Sequence, residues 1–274
     1  MNRRRVLATL GVGLGGITGC LSGRPTGSTA TGDRATADET PTGTDATATP
    51  SGSQEPVGDI VVKKAIAYES LMGSGGVLAP VDEQFVVASL PDRDGTGRAT
   101  YTFETDASSW TAGLPQTRGA RNASVAGVSR PFVAFTVPSP LSASNPRIRR
   151  AGDGAERQLS ADARATLTAP APRFELDELV VPDSVEAGAP LSVSLSATNV
   201  SDTDGRFLAA VYWPTARIAD DDESHVVDRT VAAGDSLTAS LELATEYTAS
   251  ESGPVTLSVD GHVRASREVR LEKG

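Results

Sequence analysis

The sequence predicts an all-β fold, in which a signal peptide and a disordered linker precede two tandem β-sandwiches. Short apolar segments separated by turn residues begin at Pro56 and continue to the end of the 274-residue chain. Hydrophobic residues make up 38% of the chain but aromatic residues only 4%, so Val, Leu and Ala would build the cores. We expect one sandwich in residues 56–170 and the other in residues 171–274, because Pro170 and Pro172 cannot donate hydrogen bonds within a sheet.

The second sandwich is predicted from a strict alternation of apolar and polar residues. In segment 191–198, Leu, Val and Ala side chains alternate with Ser and Thr, which places the two groups on opposite faces of a strand. The dipeptide Asp260-Gly261 between two such segments predicts a two-residue hairpin turn. Seven strands in about 100 residues correspond to an immunoglobulin-like sandwich. The predicted strands are 174–181, 190–199, 206–213, 224–231, 237–245, 253–260 and 262–271.

The first sandwich has a less regular pattern. Segment 131–137 is apolar on both faces, which predicts a central strand. Segment 106–130 is rich in Gly, Ala and Arg and is predicted to be a long surface loop, a candidate contact surface because loops of this length are usually functional or disordered. The predicted strands are 59–68, 83–90, 98–105, 131–137 and 163–169.

Residues 1–19 have the three parts of a signal peptide. Arg3, Arg4 and Arg5 form a basic start, an apolar segment runs to Ile17, and small residues precede Cys20. The apolar segment is too short to span a membrane. Arg3 and Arg4, followed by apolar residues, fit the twin-arginine export pattern.

The residues around the predicted cleavage site resemble a lipobox. Ile17, Thr18 and Gly19 directly precede Cys20, the one cysteine of the chain. The resemblance implies a lipoprotein that is cut before Cys20 and carries lipid on the Cys20 sulfur, on the extracellular face of the cell membrane. Two long chains would hold it firmly, since each buried CH₂ contributes about 0.8 kcal/mol. The alternative is a small buried cysteine in a membrane-embedded leader.

Residues 20–55 are predicted to be the lipidated Cys20 and a disordered, Thr-rich linker. Leu21 is the only large aliphatic residue there and no aromatic residue occurs, so burial cannot offset the entropy of ordering the chain. A flexible coil of ~35 residues would separate its ends by roughly 30–35 Å. The linker would therefore hold the folded part away from the membrane surface.

The net charge of the chain is −10, and it would become −13 on removal of residues 1–19, which contain three of the 25 basic residues and no acidic one. This excess of acidic over basic residues argues against binding to the phosphates of nucleic acid. The only lysines are Lys63, Lys64 and Lys273, so arginine dominates the basic residues. Acidic excess with arginine in place of lysine resembles proteins of extreme halophiles; an acidic protein from a GC-rich genome is the alternative.

Both sandwiches resemble known families of surface proteins. Residues 57–90, with the apolar strand at 83–87, resemble the start of the DUF4352-like immunoglobulin domains of secreted lipoproteins. Residues from Phe174 resemble CARDB-type adhesion modules, through Val181-Pro182, Gly188, the alternating strand that ends at Asn199, and Ala233-Gly234-Asp235. Both resemblances imply β-sandwiches without catalysis, and neither transfers binding residues.

Two D-x-D-G segments offer candidate calcium ligands, namely Asp92 and Asp94 in one and Asp202 and Asp204 in the other. Carboxylates two residues apart beside a glycine turn can bind a hard cation. The further oxygen ligands of an EF-hand are missing, and a polar turn between strands explains the same residues. No bound metal or other cofactor is therefore expected.

Other sites were sought in the histidines and the asparagines. A blue-copper site needs a thiolate beside its two histidines, but the lipid would consume Cys20. Neither His225 nor His262 lies in a catalytic motif, so both are expected at the surface and the chain is not expected to be an enzyme. Asn122 and Asn199 begin N-x-S sequons and are possible glycosylation sites.

These features favour a non-catalytic, lipid-anchored cell-surface protein that presents two β-sandwich modules for binding or adhesion. Its partners would be membrane lipid through Cys20 and a protein or glycan at the cell surface. The alternative is an accessory or structural subunit of an envelope or transport complex, which an exposed apolar patch around Tyr212 and Trp213 would favour. A third hypothesis is an enzyme that uses acidic loops and a bound metal.

Overall fold

The computed structural model describes residues 57–69, 75–91, 100–114, 131–215, 223–248 and 252–273, which belong to one compact unit. The strands in these ranges form five sheets, and the helix that accompanies them has eight residues. The all-β fold class is confirmed. The predicted signal peptide, Cys20 and the linker lie outside the described residues, and the domain boundary at residue 170 stays a prediction.

The strands and the helix have the following bounds. Strands β1 to β9 are Ile60–Lys63, Ile66–Glu69, Gly75–Leu78, Glu83–Ser89, Tyr101–Glu104, Ser109–Thr111, Phe132–Pro138, Arg147–Arg150 and Glu156–Gln158, and helix α1 is Ala161–Thr168. Strands β10 to β17 are Phe174–Val180, Ser184–Glu186, Leu191–Asn199, Gly205–Trp213, Glu223–Val231, Ser236–Leu243, Gly253–Gly261 and Ala265–Glu272.

The strands before residue 170 build one core from two sheets. A sheet of order β1-β4-β7 and a sheet of order β6-β5-β8-β9 contribute side chains to it, among them the fully buried Phe103, Phe135 and Ile148. The middle strand is β4, which pairs with β1 on one side and β7 on the other. The prediction of a central strand at 131–137 was wrong, because a strand at the side of a covered sheet is apolar on both faces too.

The strands after residue 170 form a sandwich. The sheet β10-β12-β15 and the sheet β11-β17-β16-β13-β14 enclose a core that contains Trp213. In β12 the predicted alternation is confirmed, since Leu191, Val193 and Leu195 are buried and the serines between them are not. Strand β11 runs parallel to β17, and the other pairs in these two sheets are antiparallel.

The prediction of a strand at 163–169 was wrong, because these residues belong to helix α1 and its C-terminal end. Ser160 is the N-cap, and its hydroxyl accepts a hydrogen bond from the Ala163 N–H at 3.2 Å. Ala163 and Leu167 are four residues apart and both are buried, as one face of a helix requires. The helix ends before Pro170. No helix in the described ranges has the length and apolarity needed to cross a membrane.

Other predicted strands differ in their bounds. Segment 59–68 is two strands, β1 and β2, which belong to different sheets. The turn at Asp260-Gly261 is longer than predicted, because Gly261 still pairs with Ala209 and the last pair before the turn is Val259 with Ala265. Strands β3, β6, β8, β9 and β11 were not predicted, because three or four residues are too few to show alternation. Strand β6 lies in the predicted loop 106–130, of which 115–130 lies outside the described residues.

Strand β3 and the β1–β2 connection cover the outer face of β13. Leu208 and Tyr212 point away from the sandwich core and are buried against Ala65 and Val77. Strand β13 is thus buried on both faces, which explains its continuous apolar sequence. Tyr212 and Trp213 are both buried, so the exposed apolar patch considered for them is absent from the structure.

Candidate functional site

Two neighbouring clefts lie beside the segment that connects α1 to β10. Their volumes are about 370 Å³ and about 500 Å³, and both are lined by Lys64, Pro170 and Pro172. We call the smaller one the proline cleft, because four prolines line it. Its lining includes Pro80, Pro140, Pro170, Pro172, Phe174 and His262.

Lys64 is held at the proline cleft by three neutral groups. Its Nζ donates hydrogen bonds to Gln84 Oε1 at 2.6 Å, to the Ala169 carbonyl at 2.6 Å and to Ser139 Oγ at 3.3 Å. Burial lowers the pKa of the Lys64 ammonium to about 8. No carboxylate in the described part of the chain pairs with this ammonium. Among the described residues, none of its three hydrogen-bond partners carries a negative charge.

Gln84 and Lys64 together satisfy the C-terminal end of helix α1. Gln84 is fully buried, and its Nε2 donates to the Pro138 carbonyl at 2.7 Å and to the Leu167 carbonyl at 2.9 Å. Lys64 reaches the Ala169 carbonyl directly behind the helix. The last carbonyls of a helix lack partners within it and attract positive charge. The last turn of α1 has no basic residue of its own, so Lys64 supplies that charge from the β1–β2 connection.

His262 forms another part of the cleft wall. Its Nδ1 accepts a hydrogen bond from the Leu208 N–H at 2.9 Å, and its ring lies edge-on to Phe174 with centroids 4.9 Å apart. Burial is the largest influence on the pKa of His262 and lowers it, and the charge of Arg206 lowers it further. The Leu208 carbonyl oxygen, 3.1 Å from Nδ1, raises this pKa because it favours a proton on that nitrogen. The tautomer with hydrogen on Nε2 suits the bond from the Leu208 N–H, whereas hydrogen on Nδ1 suits the Leu208 carbonyl. The sequence predicted a surface histidine, and His262 is half-buried in the cleft wall.

Gly261 permits this arrangement. A Cβ at residue 261 would lie 2.4 Å from the Leu208 carbonyl oxygen and 2.8 Å from the Ala209 Cα. Only glycine lets β16 approach β13 so closely. The close approach places His262 against Leu208 and Phe174.

The larger cleft has its own basic residues. Lys63 and Arg206 line it with Lys64, and Arg206 forms an ion pair with Asp228 through Nε at 2.8 Å and through Nη2. The pKa of Lys63 is lowered by burial and by the charge of Arg206, and raised by Asp228. Two of the three lysines of this acidic chain are thus half-buried at the clefts.

Asn199 ends strand β12, as the sequence predicted, and its side chain is more deeply buried than a glycosylation site would be. Its side chain is fully buried, and Nδ2 donates to the carbonyls of Thr203, Val231 and Ala232 at 2.9 to 3.2 Å. Its Oδ1 accepts hydrogen bonds from Ser201. The nitrogen that a glycan would modify is therefore engaged, and the folded protein does not present it for glycosylation. The side chain instead connects the β12–β13 loop to β14.

The candidate calcium ligands Asp202 and Asp204 lie in the exposed loop between β12 and β13. Asp204 Oδ1 accepts a hydrogen bond from the Ala233 N–H at 3.1 Å, as in an ordinary polar turn. Within the described ranges, no three His, Cys, Asp or Glu residues are grouped so that they could hold a metal ion.

The other predicted site residues lie outside the described residues and stay predictions. They are Arg3, Arg4, Ile17, Thr18, Gly19, Cys20, Asp92, Asp94 and Asn122.

Sequence reasoning missed the cleft residues. Lys64 and Ala169 are 105 positions apart, so no local pattern brings them together. One signal was present, namely two adjacent lysines in a chain that otherwise uses arginine almost exclusively.

Comparisons with known proteins add little. No protein-family model and no curated protein matches this chain. A mutant β-glucosidase from Listeria innocua in complex with laminaribiose is 23% identical, with a TM-score of 0.32, over 37% of this chain and 16% of that chain. The alkylpurine DNA glycosylase AlkC from Pseudomonas fluorescens is 15% identical, with a TM-score of 0.31, over 38% and 32%.

A third structure, DIP-gamma IG1+IG2, is 8% identical over 70% of this chain and 90% of that chain, with a TM-score of 0.19. The chain spans about a sixth of the length of the β-glucosidase. None of these TM-scores is high enough to support an argument about function.

Proposed function

We propose that this chain is a non-catalytic, lipid-anchored cell-surface protein, which presents its strand-built body for binding. The observation that carries the proposal is the position of Cys20. It is the one cysteine of the chain, and it stands directly after a basic and apolar leader and before a Thr-rich segment. A thioether-linked lipid at Cys20 would fix the protein to the membrane, and residues 21–55 would separate the body from it.

The geometry of the body supports binding rather than catalysis. His262 and Lys64 are the groups at the proline cleft best suited to proton transfer, but both are engaged by the fold. The Nδ1 of His262 is bonded to Leu208, and the Nζ of Lys64 has three protein acceptors within 3.3 Å. These residues shape a cleft and give it charge, which is what a binding surface requires.

The anchor is tested by changing Cys20→Ser in the full chain and separating membranes from soluble protein. We expect the variant to leave the membrane fraction, because no acyl chain would hold it there. Ser22→Ala is the matched control and should remain bound like the unchanged chain. A Cys20→Ser protein that stays with the membranes after signal cleavage would refute the lipid anchor.

An accessory subunit of an envelope complex is the second candidate. Tyr212 and Trp213, whose exposure would have favoured docking, are instead covered within the chain. Affinity isolation from intact membranes separates the two functions. A free binding module should be isolated without a partner, whereas a subunit should co-purify with a partner in constant stoichiometry.

A further inference from the structure

The proline cleft combines a positive group with apolar walls. Lys64 lies at the cleft, and prolines and Phe174 form much of the remaining surface. Arg173 and Glu175, one basic and one acidic residue, also line the cleft, and both are exposed. Among the charged residues that the described part of the chain places at this cleft, Lys64 is the half-buried one, in a protein whose net charge is −10.

The three partners of Lys64 lie at unequal distances from its Nζ. Gln84 Oε1 and the Ala169 carbonyl hold Nζ at 2.6 Å, whereas Ser139 Oγ is 3.3 Å away and forms the weakest of the three hydrogen bonds. An anionic oxygen can take the place of Ser139 Oγ while the two short hydrogen bonds remain. Charge attraction is stronger in a partly water-excluded cleft than in bulk water, so this exchange is favourable.

The size and the walls of the cleft define the rest of the ligand. A volume of about 370 Å³ lies at the small end of the roughly 300–1,000 Å³ of typical ligand sites. His262 is neutral, and its ring lies edge-on to the ring of Phe174. These two rings make this side of the cleft an uncharged, largely apolar surface. Such a wall favours a compact apolar body.

We propose that the proline cleft binds a small organic carboxylate, with its charged group next to Lys64 and its apolar body against Phe174 and the prolines. The proposal names a ligand class for the binding function proposed above and rests on it.

The test uses the full chain with ¹³C at the lysine Cε atoms, which gives three lysine signals from Lys63, Lys64 and Lys273. Benzoate is added at constant ionic strength. We expect the Lys64 signal to shift and to saturate with a dissociation constant of about 1 mM, and its titration midpoint to rise as the carboxylate stabilises the ammonium. The Lys273 signal should stay in place. Benzyl alcohol lacks the charge and acetate lacks the ring, so each should bind at least about tenfold more weakly.

Two surface variants keep the test independent of folding. Val81 lines the cleft and is 78% exposed, and Val180 is 50% exposed on β10 and does not line it. Val81→Asp places a negative charge at the cleft and should weaken benzoate binding several-fold, whereas Val180→Asp should not change it. The proposal is refuted if the Lys64 signal does not move, if benzyl alcohol moves it as far as benzoate does, or if both variants weaken binding equally.

The outcomes also separate this proposal from the anchor. Benzoate binding by a chain that is not attached to membranes would refute the anchor and leave the ligand class in place. A membrane-attached chain that does not bind benzoate would refute the ligand class and leave the anchor in place.

Discussion

Replacing Leu208 with Ala tests how strand β3 and the β1–β2 connection pack on strand β13. Leu208 points away from the sandwich core, so in a sandwich that stood alone it would face water. In the structure it is fully buried against Ala65 and Val77. Surface substitutions usually change stability by less than about 0.5 kcal/mol, whereas burying a leucine makes its loss cost about 2–5 kcal/mol. An exposed Leu208 and a buried Leu208 therefore predict losses of unfolding free energy that differ several-fold.

We expect Leu208→Ala to lower the free energy of unfolding by about 3 kcal/mol. In urea, a slope of about 2–3 kcal/mol per molar converts this loss to a midpoint shift of roughly 1–1.5 M. Tryptophan fluorescence reports both cores, because Trp110 contacts Phe103 and Trp213 lies in the second core.

Val226→Ala is the matched control, since Val226 lies on the neighbouring strand β14 and is 37% exposed. It should shift the midpoint very little. A Leu208→Ala protein that is as stable as the Val226→Ala control would show that β13 is not covered, and the packing described here would be wrong.

Three further predictions concern single residues. Gly261→Ala would bring a Cβ to 2.4 Å from the Leu208 carbonyl oxygen, and the melting temperature should fall by several degrees for a loss of about 2 kcal/mol; an unchanged melting temperature contradicts the close approach. Lys64 has a folded pKa of about 8, below its unfolded value of 10.5, so between these values the unfolded state binds more protons and stability rises with pH. Urea unfolding across this range should show that rise, and Lys64→Met should reduce it; an equal rise in the variant argues against the lowered pKa. Asn199→Ala leaves buried carbonyls without a donor and should cost roughly 2 kcal/mol or more in the same assay; a negligible cost would mean that the side chain is not buried as described.

The sequence predicted strands β12 and β16 well because burial on one face imposes period two on them. Strand β12 has nine residues and shows the alternation throughout. Strand β8 does not, because Ile148 is the one core residue of its four and arginines occupy the others. Arg147 is accommodated by ion pairs with Glu104 at 3.4 Å and Glu156 at 3.2 Å, which only the assembled sheet provides.

The candidate site could not be predicted for a related reason. Lys64 meets Gln84, Ser139 and Ala169, which are 20, 75 and 105 residues away. Each contact depends on the pairing of several strands and on α1, which was predicted as a strand. His262 follows a turn in the sequence, a place where histidine is usually exposed, and it is covered only because Gly261 lets two strands approach.

The mass of the protein isolated from membranes tests the proposed anchoring most directly. We predict a chain that begins at Cys20 and carries the added mass of lipid on that residue. A soluble product that still begins with an unmodified Met1 would contradict the account.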